Sequence, residues 1–198
     1  MTTASVAPAV VLGVGNVLLR DDGVGVRVVE ALRSAAASDP ASLPADTRLV
    51  DGGTLGLDLL GDLAGARSLL VVDAVDLGQP AGTVRVLRDP ELSAIAGGTR
   101  HGIGGGVSGL LGMARLLGWL PSRVSLVGIQ ADDTGSGNDL TECVSAALPR
   151  AVDAVRAELR RLDDVVDNVV HEGTARRAQS WRTAPRGAGV SEAEGATA

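Results

Sequence analysis

Phenylalanine and tyrosine are absent from these 198 residues, and tryptophan occurs only as Trp119 and Trp181. Without aromatic rings there is no platform on which the bases of a single strand can stack. The formal charge is −6, and with four Arg against two Glu in residues 173–198 the rest of the chain carries about −8. No nucleic-acid partner is expected. The single cysteine, Cys143, excludes an internal disulfide and a cysteine-rich zinc site, and is expected to be buried. There is no run of about 18 apolar residues such as a membrane-spanning helix requires. The opening Met-Thr-Thr-Ala-Ser-Val-Ala-Pro also lacks the basic start and apolar core of a secretory signal. These absences predict a cytoplasmic chain with no membrane partner.

What the chain does contain is an apolar fraction of 45%, distributed in short runs. Runs at 9–14, 47–50, 68–72, 83–87 and 124–129 are bounded by Gly, Pro or Asp and read as strands. Between them, residues 23–37, 55–64, 107–118 and 140–162 repeat apolar positions at helical spacing. Strands that are apolar throughout and alternate with helices predict an α/β fold with a mostly parallel sheet covered on both faces. The run at 83–87 follows its neighbour without an intervening helix, which suits an edge or antiparallel strand. One domain is expected over 1–162. Residues 163–198 read as a helix end and a disordered tail, because periodicity is lost from about Gly173.

The richest segment runs from Gly13 to Gly25, a glycine turn after the first strand that carries Asp21 and Asp22 into the next helix. A dinucleotide fingerprint requires a third glycine where Leu18 stands, and bare amides facing a pyrophosphate. Acids at a helix start stabilise the helix and repel phosphate, so a cation suits this turn better. Asp51 and Asp73 close the second and third strands, and ligands of open parallel sheets bind outside such carboxyl ends, at the switch point. If the strand order is 2-1-3, Asp22 and Asp73 flank that point. His101, in a glycine-rich loop, is placed to reach the same edge. Two carboxylates and an imidazole suit a divalent transition metal with open positions.

Each of these residues also has a plainer reading. Asp22 as a helix cap, Asp51 as an Asx turn before Gly52-Gly53, and His101 as a solvated loop residue all fit the local sequence. Asp73 fits least well, since an acid closing an apolar strand must find a partner or water. Ser108 is no nucleophile elbow, because Leu110 stands where glycine is required. His171 and Glu172 read as a solvated helix end, and Asp132, Asp133 and Asp139 as a surface turn that lacks calcium-loop spacing.

Five ordered blocks carry a resemblance: Gly13-Val14-Gly15-Asn16 with Asp22, Asp51-Gly52-Gly53-Thr54 with Leu59-Leu60, Val72-Asp73-Ala74 with Gly82-Thr83, His101, and Leu126-Val127-Gly128-Ile129. Over residues 9–160 the chain resembles the hydrogenase maturation endopeptidases, which trim the C-terminal extension of the nickel-iron hydrogenase large-subunit precursor. The resemblance implies a three-layer sandwich with a twisted five-stranded sheet flanked by helices. It matches Asp22, Asp73 and His101 to the family's metal ligands. The metal is then nickel already placed in the precursor. Apart from the resemblance, the mechanism expected is attack on the scissile carbonyl by a water near that metal or near a carboxylate, and if the metal only positions the substrate, Asp51 on the same edge is the carboxylate on which the chemistry rests. Two other readings use the same residues: a noncatalytic nickel-sensing or assembly protein, and a nucleotide-binding module with Asp51 as its acid.

Overall fold

The computed structural model describes residues 7–89, 91–92 and 105–163. Five strands, β1 (Ala9–Val14), β2 (Thr47–Gly53), β3 (Ser68–Val75), β4 (Val84–Arg88) and β5 (Val124–Gln130), form one sheet in the order β2-β1-β3-β5-β4. β1, β2, β3 and β5 are parallel, and β4 runs antiparallel along β5 at the edge. The absence of a helix between β3 and β4 explains this, since a parallel pair requires a long crossover and an antiparallel one does not. The expected 2-1-3 order holds, so the chain reverses its winding direction at β1 and β3.

Alternate side chains of the central strands enter two separate cores. Val11, Leu70, Val72, Val127 and Ile129 pack with Val24, Val28 and Leu32 of α1 (Val24–Ser38) and with Ala151, Val155 and Leu159 of the helix at 148–163. Val10, Leu12, Leu69, Val71 and Leu126 face the other way, onto Leu63 of α2 (Leu60–Leu63) and Val107 and Leu110 of α3 (Gly105–Leu116). Burying each such side chain contributes roughly 1.5–3 kcal/mol, and the two cores together give the three layers.

Some boundaries differ from the sequence reading. The expected helix at 55–64 is a 3-10 turn at Gly56–Leu59 that tightens into the single α turn of α2. The helix expected over 140–162 is broken into α4 (Glu142–Ser145) and α5 (148–163) by a turn at 146–147. Strands β2 and β3 continue past Asp51 and Asp73 to Gly53 and Val75, so both acids lie within strands instead of closing them. Apolar periodicity locates an element but does not resolve its last turn. The expected tail lies outside the described residues, as do His171 and Glu172. Among the described residues no helix is long and apolar enough to cross a membrane.

Two contacts fix how the layers meet. A Cβ on Gly25 would lie 2.2 Å from the Val72 carbonyl oxygen and 2.4 Å from that of Val14, so α1 rests on the ends of β1 and β3 only because this residue has no side chain. At the amino edge of the parallel strands, the buried Glu158 carboxylate of α5 accepts hydrogen bonds from Arg88 Nε (2.9 and 3.0 Å), Arg161 Nη2 (2.7 Å) and Ser125 Oγ (2.7 Å). Burial alone would raise its pKa, but the bonds from Arg88, Arg161 and Ser125 outweigh that and lower it to about 2.

Gly25→Ala should cost about 3 kcal/mol, because backbone on both sides cannot give way, and should lower Tm by ~10 °C in a calorimetric scan. For Glu158 the folded carboxyl binds its proton less readily than the unfolded one. Its contribution is therefore complete above the ordinary value of 4.5 and fades as pH falls toward about 2. Urea titrations at a series of pH values should show Glu158→Gln less stable than the parent by roughly 3 kcal/mol near neutrality. The two proteins should converge in acid across that interval.

Candidate active site

The site is built from the loops at the carboxyl ends of β1, β2 and β3. Gly15 turns the chain out of β1 at φ +123°, and a side chain there would strike the Asp22 carbonyl oxygen. Its N–H donates to the Gly53 carbonyl at 3.0 Å, tying the loop after β1 to the end of β2. Asn16 then folds the loop back on itself. Its backbone N–H donates to Asp22 Oδ2 at 2.6 Å, and its side-chain oxygen accepts from Leu18 N at 3.0 Å. Asp22 stands in the 3-10 turn Arg20–Gly23 that leads into α1. No side-chain bond of Asp22 caps α1, so the capping role does not describe it.

Asp73 reaches the same place from below. In β3 it pairs with Gly128 of β5, one residue beyond the Gly13–Val72 pair, and it is buried. Strand alternation sets it in the row of Leu69, Val71 and Val75, on the face covered by α2 and α3. Asp22 and Asp73 line one cavity of about 200 Å³. Val14, Leu59, Val107 and Leu110 form its apolar wall, and Gly15, Gly53, Thr54 and Gly56 form its rim. Two carboxylates facing one small, partly apolar cavity at the switch point are suited to hold a cation or to orient a polar group.

The other sequence candidates have different positions. Asp51 is exposed and is not among the residues lining the cavity; its Oδ1 accepts from Gly53 N at 3.1 Å, which makes the Asx turn. His101 lies outside the described residues. Among the described residues no three His, Cys, Asp or Glu side chains are grouped to hold a metal. Ser108 lines a different cavity, of about 550 Å³, with Asp89 and Arg115. Cys143 is only partly buried, its Sγ 3.3 Å from Thr141 Oγ1.

Sequence reading missed the residue that closes the site's outer side. Asp21 is fully buried, and its Oδ2 accepts from the backbone N–H groups of Asp132 and Asp133, both at 3.0 Å, and from Thr141 Oγ1 at 2.9 Å. Its Oδ1 accepts from Thr141 N at 2.7 Å. Burial opposes the charge, but the bonds from Asp133, Thr141 and Asp132 prevail and hold the carboxyl below its ordinary value. Alongside, Arg20 N donates to the Gly137 carbonyl (2.8 Å) and Gly137 N to that of Leu18 (2.9 Å). Asp21 is thus a latch joining the loop after β1 to the loop after β5. The 131–141 segment, read as a surface turn, is the other half of that latch.

The family model described as hydrogenase maturation protease matches residues 26–158. The hydrogenase expression/formation protein HupD of Rhodobacter capsulatus is 40% identical over 152 residues, which cover 76% of this chain and 70% of that protein. The hydrogenase 2 maturation protease of Escherichia coli strain K12 is 37% identical over 151 residues, 76% of this chain and 89% of its own. The solved structure of the hydrogenase maturating endopeptidase HybD from E. coli superposes with a TM-score of 0.67 at 34% identity, covering 78% of this chain and 93% of the other. A doubly wound sheet by itself would leave the function open, but sequence and structure agree across the whole described core, and the chain belongs to the hydrogenase maturation protease family.

Proposed function

We propose that this endopeptidase acts in the cytoplasm on a nickel-iron hydrogenase large-subunit precursor, removing its C-terminal extension once nickel is in place. The observation that carries the proposal is the convergence of Asp22 and Asp73 on one cavity at the switch point. Family membership favours the enzyme over the assembly-protein and nucleotide-binding readings.

In this reading the nickel belongs to the substrate. Asp22 and Asp73 supply carboxylate oxygens to it and His101 an imidazole, a donor set suited to a divalent transition metal. These contacts dock only a precursor whose cofactor is complete, and so set the scissile bond beside the site. Hydrolysis then adds water to the scissile carbonyl and delivers a proton to the leaving amine. Asp51, two residues before the cavity-lining Gly53, is the carboxylate we assign to accepting the water's proton, which makes the hydrolysis aspartate-dependent.

The test is cleavage of purified nickel-loaded and nickel-free precursor, read as the loss of the extension on a gel. Only the loaded precursor should be cut. Asp22→Ala and Asp73→Ala should each reduce cleavage by at least about 100-fold, and normal rates in both would sink the ligand assignment. Asp51→Asn separates the two roles of that carboxylate, since loss of the turn moves Tm whereas loss of proton transfer moves kcat at unchanged Tm.

A further inference from the structure

The six large apolar side chains exposed among the described residues fall into two groups. Leu116, Leu117 and Trp119 lie where α3 leads back toward the start of β5, at the amino edge of the sheet. Leu18, Leu55 and Leu57 belong to the loops at the carboxyl edge, where the site is. Leu55 and Leu57 are 55% and 50% exposed, and they alternate with Thr54 and Gly56, both of which line the cavity. Their turn is held rigidly: Leu55 N donates to the Gly52 carbonyl and Asp58 N to that of Leu55, while Leu59 is buried beneath as the anchor. Leu18, 62% exposed, stands in the loop after β1, three residues beyond the cavity-lining Gly15.

A solitary exposed leucine requires no explanation, but a pair on a fixed turn at the mouth of a catalytic cavity does. The cavity, about 200 Å³, lies below the roughly 300 Å³ at which pockets begin to enclose a whole small ligand. It has room for a few reacting groups but not for the chain on either side of a scissile bond. A protein substrate must therefore take most of its hold outside the cavity, and the exposed side chains that alternate with the cavity-lining Thr54 and Gly56 are the apolar Leu55 and Leu57, flanked by the exposed acids Asp51 and Asp58.

We propose that Leu55 and Leu57 form a docking ledge for an apolar segment of the polypeptide substrate, adjoining the bond that is cut. This inference rests on the cavity of Asp22 and Asp73 being the active site. The ledge contributes to binding and takes no part in bond breaking. Its removal should appear in KM and leave kcat unchanged.

The experiment compares the full chain with the double variant Leu55→Ser/Leu57→Ser, the single variant Leu57→Ser, and Leu116→Ser/Trp119→Ser as the control from the opposite edge. Cleavage of loaded precursor is measured at low and high salt beside Tm. The ledge predicts that KM rises about tenfold in the double variant and less in the single one, from the apolar area lost. The rise should be the same at both salt levels, since apolar contact is not screened. Values of kcat and Tm should stay at the parent level, and the control should match the parent throughout. An unchanged KM in the double variant would overturn the ledge, as would an equal rise in the control. Asp22→Ala, run in parallel, separates the two claims. A dead Asp22→Ala with an unchanged ledge variant removes the ledge and keeps the site. An active Asp22→Ala with a raised KM in the ledge variant keeps the ledge as a binding surface and moves the chemistry elsewhere.

Discussion

The approach of α1 to the ends of β1 and β3 is the constraint on which the rest of the site depends. Gly25 sets the helix directly on the carbonyls of Val14 and Val72, and Gly13 opposite leaves room for the Gly25 carbonyl. With helix and strands this close, the connection from Gly15 to Gly23 has no slack. It must turn at positive φ, fold over Asn16 and present Asp22 directly above the switch point. The same closeness sets Asp73, one residue past the Gly13–Val72 pair, below the loop that carries Asp22. Two glycines in contact thus set the backbone positions from which both carboxylates project. Phosphate chemistry is disfavoured here for the same reason, since the 3-10 turn leading into α1 sets the Asp22 carboxylate where a phosphate would have to approach.

Sealing that loop requires a buried charge. Asp21 is taken fully out of water and repaid by four hydrogen bonds, three from backbone N–H groups that cannot rotate away. Glu158 solves the same problem at the other edge with two guanidinium groups and a hydroxyl, and it joins α5 to β4 and β5. A buried carboxylate saturated in this way favours one arrangement of its neighbours, because any other leaves a charge without partners. The latch and the clamp therefore lock the loops around the cavity and the layer behind it without entering the cavity.

Much of this architecture was legible before any coordinates. Continuous apolar runs such as Leu69–Val72 declare a strand buried on both faces, and the missing helix before Val84 declares the antiparallel edge. Asp73 was legible because an acid in an apolar strand has no cheap structural explanation, and Asp22 because it breaks a phosphate motif in the place that would matter most. Asp21 and Glu158 were not. The partners of Asp21 lie 111 to 120 residues away, and although Arg161 is only three residues from Glu158, the partners that tie Glu158 to the sheet, Arg88 and Ser125, lie 70 and 33 residues away. Local patterning carries no trace of such pairs, and beside a helix an acid looks like a solvated one. The break at 146–147 was hidden for a related reason, since Ala147 and Ala151 keep the apolar rhythm across it.

The saturation of Asp21 also decides which member of the acidic pair is available for chemistry. All four of its hydrogen bonds come from protein donors on the 131–141 loop, so any incoming group would have to break a bond to engage it. Asp22 makes one bond to the protein among the described residues, through Oδ2 to Asn16 N, and faces the cavity. Adjacent residues of identical chemistry therefore differ in surroundings because a short 3-10 turn points one into the protein and the other at the cavity. The placement of Asp22 and Asp73 is thus tied to the packing of α1 on the sheet, through Gly25 set against Val14, which lines the cavity, and against Val72, which precedes Asp73.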